Sequence, residues 1–221
     1  MDQTELLKRI TCFSGLDEAH LEEVLRFSER RTFSRGEVLF ELGDPGEALY
    51  ILLSGRVKCY INGKDGRQVT LAFLGPGELV GELALFDPAE RRSASVQAVE
   101  ETDCVWLSRE RFLEALASNP SLALSVIRTL SQRLRETSQR VGSLVLMDTF
   151  GRLARFITEL AEREGRQLAD GSILITRPTQ EEIAHFIGTS RETVNRLLKE
   201  LETQGFLRLL GRKILLFKTP S

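Results

Sequence analysis

Residues 81–93 read Gly-Glu-Leu-Ala-Leu-Phe-Asp-Pro-Ala-Glu-Arg-Arg-Ser, with a carboxylate near the start and a guanidinium and a hydroxyl at the end. Those groups can hold a sugar hydroxyl and a phosphate together. Arg92 offers the planar, permanently charged fork that suits phosphate oxygens. Ser93 adds a hydroxyl donor, and backbone N–H groups near Gly81 can approach an anion closely. Glu82, ionised at neutral pH, only accepts hydrogen bonds, so it suits a ribose 2′-hydroxyl and repels phosphate. A surface loop with an incidental charge pair would carry the same residues, so this run alone names neither a base nor a purpose.

A second set of polar side chains lies in residues 179–201. Thr179 with Glu182 fits a capping box that starts a helix, whose apolar face is Ile183, Ala184 and Ile187. Gly188 ends it, and Ser190 caps a second helix with Val194, Leu197, Leu198 and Leu201 as its buried side. Helix, glycine turn and helix at this spacing make a helix-turn-helix. Arg191, Glu192 and Arg196 lie away from most of the buried stripe, near the end of the helix that touches bases in such motifs. Arg grips guanine O6/N7 bidentately and Glu accepts from cytosine N4, each good pair discriminating by ~1–3 kcal/mol. A solvated face with a Glu192–Arg196 ion pair competes for two of these residues. Leu207–Leu210, Gly211-Arg212-Lys213 and Ile214–Phe217 then read as a hairpin with a basic tip, a wing able to lie along phosphates.

Three periodicities supply the elements that position these groups. Residues 4–30 have helical spacing, with Asp17 as a cap. From about Thr32 to Ser108, short apolar runs alternate with Gly/Pro/Asp punctuation, which predicts an antiparallel roll or barrel interrupted by the 81–93 loop. After Asn119-Pro120 a helix begins. Within it Ile127, Leu130, Leu134, Val141 and Leu144 keep a 3-4-3-4 spacing if Thr137 fills the missing place. That is a heptad seam, the pattern of a helix pairing with its own copy. Thr137 and its neighbour Ser138 are polar in that seam, and burying such a group unsatisfied costs on the order of 1–3 kcal/mol. A bound purine could be the partner they need.

Bulk properties narrow the classes. The 221 residues suffice for two domains with separate cores. Residues 1–147 carry 18 Lys+Arg against 22 Asp+Glu, a net −4; residues 148–221 carry 12 against 10, a net +2. The basic patch toward one end permits nucleic acid without proving it. Cys12, Cys59 and Cys104 form neither a metal-spaced pair nor a disulfide framework, and His20 and His185 stand apart, so no metal or haem site is expected. No membrane span or signal peptide is legible, and a cytoplasmic chain with reduced thiols is the expectation.

Taken together, the residues resemble the cyclic-AMP receptor protein/fumarate-nitrate regulator (CRP/FNR) family of bacterial transcription factors over nearly the whole chain. Gly81 through Ala94 matches the family's phosphate-binding cassette, and Ser190 through Arg196 its recognition helix. The resemblance implies an α+β fold: an N-terminal antiparallel β-roll (cyclic-nucleotide-binding jelly roll) with N-terminal helices over 1–119, a dimerisation helix over 120–147, and a C-terminal winged helix-turn-helix over 148–221. It implies Gly81, Glu82, Leu83, Ala84, Arg92 and Ser93 around the sugar and cyclic phosphate. Thr137 meets the adenine from its own subunit and Ser138 from the partner's, with Cys59 and Leu71 at the base end. Thr179, Ser190, Arg191, Glu192, Arg196 and Lys199 face DNA, the three charged readers recognising a palindromic TGTGA-like site. A homodimer gated by cyclic AMP, without cofactor or catalysis, follows from the same resemblance, with RNA polymerase as a further partner; only their position between helix and wing domain points to residues 162–172 as its surface. Cyclic GMP, a cyclic dinucleotide or ligand-free DNA binding are the alternatives. The iron–sulfur sensors' cysteine cluster is absent, since Cys12 stands alone, and Gly75-Pro76-Gly77-Glu78 replaces the family's more usual Gly-Asp before the cassette.

Overall fold

The run Ala48-Leu49-Tyr50-Ile51-Leu52 is apolar at every position, so as a strand it must be covered on both faces. The computed structural model, which describes residues 28–87, 89 and 91–217, has it so. Strands β1 (Ser28–Phe33), β2 (Val38–Phe40), β3 (Ala48–Ser54), β4 (Val57–Asn62), β5 (Gln68–Leu74), β6 (Leu79–Val80), β7 (Ser95–Ala98) and β8 (Thr102–Ser108) form two antiparallel four-stranded sheets. Their orders are β1-β8-β3-β6 and β2-β7-β4-β5. Tyr50 and Leu52 join Phe33, Val57, Leu74, Val96 and Cys104 in a core drawn from both sheets. Leu49 and Ile51 point the other way, with Val105 and Leu107, onto Leu85, Phe112, Leu122 and Val126. These last residues come from three helices: α1 (Leu83–Phe86), α2 (Arg109–Ser118) and α3 (Pro120–Leu146).

Helix α3 starts where the sequence indicates, with the Asn119 Oδ1 accepting from Leu122 N at 3.1 Å and Pro120 at the first helical position. Its seam residues Ile127, Leu134, Val141 and Leu144 are exposed, whereas Leu130 packs against the core below β3. The expected N-terminal helices, with Asp17, fall outside the described residues. Their expected extent to residue 30 is corrected at its end: Ser28–Phe33 is strand, paired residue by residue with Leu107–Thr102 of β8. Cross-strand pairing decides such a segment more than local propensity does.

Contacts within the chain divide it into units Met1–Glu136 and Thr137–Ser221. In the second, α4 (Thr149–Glu164) precedes β9 (Arg166–Gln167), β10 (Ile173–Thr176), α5 (Gln180–Ile187), α6 (Arg191–Thr203), β11 (Leu207–Leu210) and β12 (Lys213–Leu216). The four strands form a sheet of order β11-β12-β10-β9. Leu153, Phe156, Ile183, Ile187, Val194, Leu198 and Ile214 are among the side chains buried in this unit. No described helix is long and apolar enough to cross a membrane.

Candidate nucleotide and DNA sites

Gly81 has φ +84°, a left-handed backbone that favours glycine, and a Cβ there would collide with Arg92 Nη1. The turn it makes sends Glu82 inward as the residue before α1; Ala84 and Leu85 are buried while Leu83 and Phe86 face out. Glu82 is only 3% exposed. Its Oε1 accepts from Arg133 Nη1 at 2.6 Å, and Arg133 Nη2 donates to Leu79 O at 2.6 Å. Glu78 stands 3.9 Å from the same guanidinium. Burial pulls the Arg133 pKa down, but the Glu82 and Glu78 carboxylates outweigh it and hold it above its ordinary value. A carboxylate has about four lone-pair sites, so Glu82 keeps acceptor capacity for a hydroxyl. Sequence reasoning missed Arg133. The available signal was its place four residues before Thr137, on the same face of α3.

Arg92 is 5% exposed and is turned into the roll. Its Nη1 donates to Gly81 O at 2.8 Å and its Nη2 to Ala48 O at 2.6 Å, with the guanidinium 4.1 Å from the Phe40 ring centre. Its Nε is buried without a hydrogen-bond partner, and burial lowers its pKa from the ordinary arginine value. Ser93 next to it is exposed. So the structure brings Gly81, Glu82 and Arg92 together and sets Ser93 at the surface beside them. Cys59 sits within electrostatic reach of Arg133, Glu82 and Glu78, and burial pushes its thiol up to about 12. Leu71 is the extra residue of a β-bulge between Cys59↔Ala72 and Tyr60↔Thr70, and is exposed. Thr137 and Ser138 are both exposed on α3. Among the described residues no cluster of His, Cys, Asp and Glu could hold a metal ion.

The second unit carries the reader. Thr179 Oγ1 accepts from Glu182 N at 3.2 Å while Glu182 Oε2 accepts from Thr179 N at 2.7 Å, the reciprocal capping box. Gly188 closes α5 in the left-handed region, at φ 70°. Ser190 caps α6 by accepting from Thr193 N at 3.2 Å. Arg191, Glu192, Arg196 and Lys199 are exposed along α6. The ion pair Arg196 makes is with Glu200, at 3.8 Å. The Glu192 carboxyl is held below its ordinary pKa by a backbone N–H and by Ser190, which keeps it an ionised acceptor. The wing is a two-residue hairpin: Leu210 pairs with Lys213, and Gly211 (φ 62°) and Arg212 form the tip. Arg177 ties the wing to the start of α5, with its N donating to Arg212 O at 2.9 Å and its Nη2 to Gly211 O at 3.0 Å.

Comparison with known proteins agrees in both units. The family model described as Cyclic nucleotide-binding domain matches residues 30–119, and that described as Crp-like helix-turn-helix domain matches residues 151–219. A CRP-like cAMP-activated global transcriptional regulator of Mycobacterium tuberculosis is 36% identical over 213 residues, 96% of this chain and 94% of its own length. The cyclic AMP receptor protein of Thermus thermophilus is 36% identical over 203 residues, 92% of this chain and 90% of its own. The solved structure of the c-di-GMP responsive global regulator CLP from Xanthomonas campestris superposes with a TM-score of 0.80 at 27% identity, covering 92% of this chain and all of that one. A chain with this roll, this reader and these relatives belongs to the CRP/FNR family of DNA-binding, cyclic-nucleotide-binding transcription regulators.

Proposed function

We propose that the chain is a homodimeric regulator that binds a palindromic TGTGA-like site when cyclic AMP is bound, and that it works in the cytoplasm with RNA polymerase as a partner. The observation that supports it most is the buried Glu82 carboxylate, fixed by Arg133 and placed next to Gly81 and Arg92. A buried carboxylate with spare acceptor sites selects a hydroxyl donor, and the adjacent guanidinium and glycine suit a phosphate. Glu82 takes the ribose hydroxyl, Arg92 and Ser93 the cyclic phosphate, and Thr137 and Ser138 the purine, with Gly81, Leu83, Ala84, Cys59 and Leu71 completing the site. Arg191, Glu192 and Arg196 read bases, and Thr179, Ser190 and Lys199 meet the backbone. Several relatives carry names that make them cAMP-activated, in keeping with this ligand. Residues 162–172, the last residues of α4 with β9 and the turn before β10, are the surface for polymerase in this reading.

A cyclic dinucleotide is the second reading, because the Xanthomonas protein of similar fold is described as c-di-GMP responsive. Titrating cyclic AMP, cyclic GMP and cyclic di-GMP against the full chain on labelled palindromic DNA separates them. Cyclic AMP is expected to tighten DNA binding by about tenfold or more, within the usual range of allosteric coupling. A response to cyclic di-GMP or cyclic GMP in its place overturns the assignment.

A further inference from the structure

The end of α3 grips the helix-turn-helix by its turn. Arg140 Nη2 donates to Phe186 O at 2.6 Å, and its guanidinium lies 3.8 Å from the centre of the Phe186 ring. Phe186 packs in turn on Phe156 of α4, ring centres 5.0 Å apart. The next carbonyl, Ile187 O, accepts from Arg152 Nε at 2.8 Å, and Arg152 Nη1 donates to Met147 O at 2.8 Å. The last carbonyls of a helix have no partner within it. Here two guanidiniums, one from α3 and one from α4, take the last two of α5. Leu144 of α3 lies beside the turn residue as well: a Cβ added at Gly188 would stand 3.6 Å from Leu144 Cδ2.

Stacking on a ring while donating to a carbonyl requires the flat, forked guanidinium; an ammonium cannot do both in this geometry. Burial lowers the Arg140 pKa to about 10, opposed by Glu159, which leaves it charged at neutral pH. Arg140 follows Ser138 by two residues on the same continuous helix. A turn of α3 that rotates or tightens at 137–138 therefore carries Arg140 with it. Arg140 carries Phe186 O and the turn from which α6 starts, three residues after Gly188.

We propose that Arg140 is a positioning residue, a latch that transmits the state of α3 at Thr137–Ser138 to the recognition helix. This rests on the reading that a nucleotide gates DNA binding.

The experiment uses the full chain and its variants Arg140→Met, Arg140→Lys and Phe186→Leu. It measures DNA affinity with and without cyclic AMP, cyclic AMP affinity in the absence of DNA, and amide hydrogen exchange over residues 187–190. Arg140→Met and Arg140→Lys are expected to cut the ratio of DNA affinities with and without nucleotide by about tenfold. Cyclic AMP affinity of the DNA-free protein is expected to stay within about threefold, and exchange at the turn is expected to rise as its anchoring is lost. Phe186→Leu keeps the carbonyl and removes the ring, so it is expected to lose part of the ratio. A ratio and a turn exchange unchanged in Arg140→Met and Arg140→Lys overturn the latch alone. A ratio near one in the unaltered chain overturns the nucleotide-gated reading, and the latch with it.

Discussion

Arg133 Nη1 stands 2.6 Å from Glu82 Oε1, a charged pair formed across 51 residues of sequence beneath the cassette turn. Removing the arginine leaves a carboxylate that is almost fully buried without its counter-charge. Arg133→Ala is expected to destabilise the first unit by on the order of 3 kcal/mol, and Arg133→Lys by less. Urea unfolding followed by tryptophan fluorescence measures this, since Trp106 lies in β8. Cyclic AMP affinity is expected to fall in both variants; retained affinity in a folded Arg133→Ala separates the pair from ligand binding.

Arg92 has a double role to test. Arg92→Met keeps bulk beside Phe40 and removes the donors to Gly81 O and Ala48 O. Loss of charge-assisted bonds at a phosphate predicts a ten- to hundredfold weaker nucleotide, about 1.5–3 kcal/mol, measured by calorimetry. Leaving the two carbonyls short of donors is expected to lower stability by about 1–3 kcal/mol. Gly81→Ala, with φ +84° and the collision with Arg92, is expected to cost a similar amount through strain.

The exposed stripe of α3 predicts the assembly. Leu134 is 68% exposed in the single chain and Leu146 85%. A charge at Leu134 removes apolar contact from a self-paired helix without disturbing the core of one chain. Leu134→Glu is expected to give a folded monomer by sedimentation, with circular dichroism unchanged; a dimer that persists at low micromolar concentration rejects α3 as the seam.

On DNA, the two kinds of contact are expected to differ in their signatures. Glu192→Ala relaxes preference at one base position by about 1–3 kcal/mol. Lys199→Ala weakens all sequences alike and lowers the slope of log affinity against log salt by about 0.9. Binding titrations at several salt concentrations on matched and mismatched palindromes distinguish them.

The thiols of Cys59 and Cys104 are both pushed up to about 12 by burial. At pH 8 their thiolate fraction is about a thousandfold below that of an ordinary cysteine, so both are expected to resist alkylation until the roll unfolds. The folded chain retains protons that the unfolded chain releases from about pH 9 upward. Stability is therefore full below that pH and falls as pH rises toward about 12, as alkaline urea titrations can follow.

The reader was legible in the sequence because its signals are local. The Thr179–Glu182 capping box, the Gly188 turn, the Ser190 cap and the 207–216 hairpin each depend on residues a few positions apart. Gly81, Glu82 and Arg92 could be named as chemistry, but not their surroundings. Arg133, Ala48 O and Phe40 reach them from 51, 44 and 41 to 52 residues away, and only the closing of the roll brings them there. The heptad spacing of α3 did not show that Leu130 also packs on its own core, for a related reason. A helix that serves two neighbours has two apolar faces, and spacing alone does not divide Leu130 from Ile127 and Leu134.

Leu122 and Val126 are fully part of the core beneath β3, with Leu130 packed against them. The sensor's hydrophobic interior thus extends past the last strand and past the end of the matched cyclic-nucleotide-binding domain at residue 119. A fragment cut there would expose Leu49, Ile51 and Phe112 to water and be prone to aggregate. One ended near Glu136 takes its own floor with it, so the gene cannot exchange sensor and helix as separate modules at that boundary.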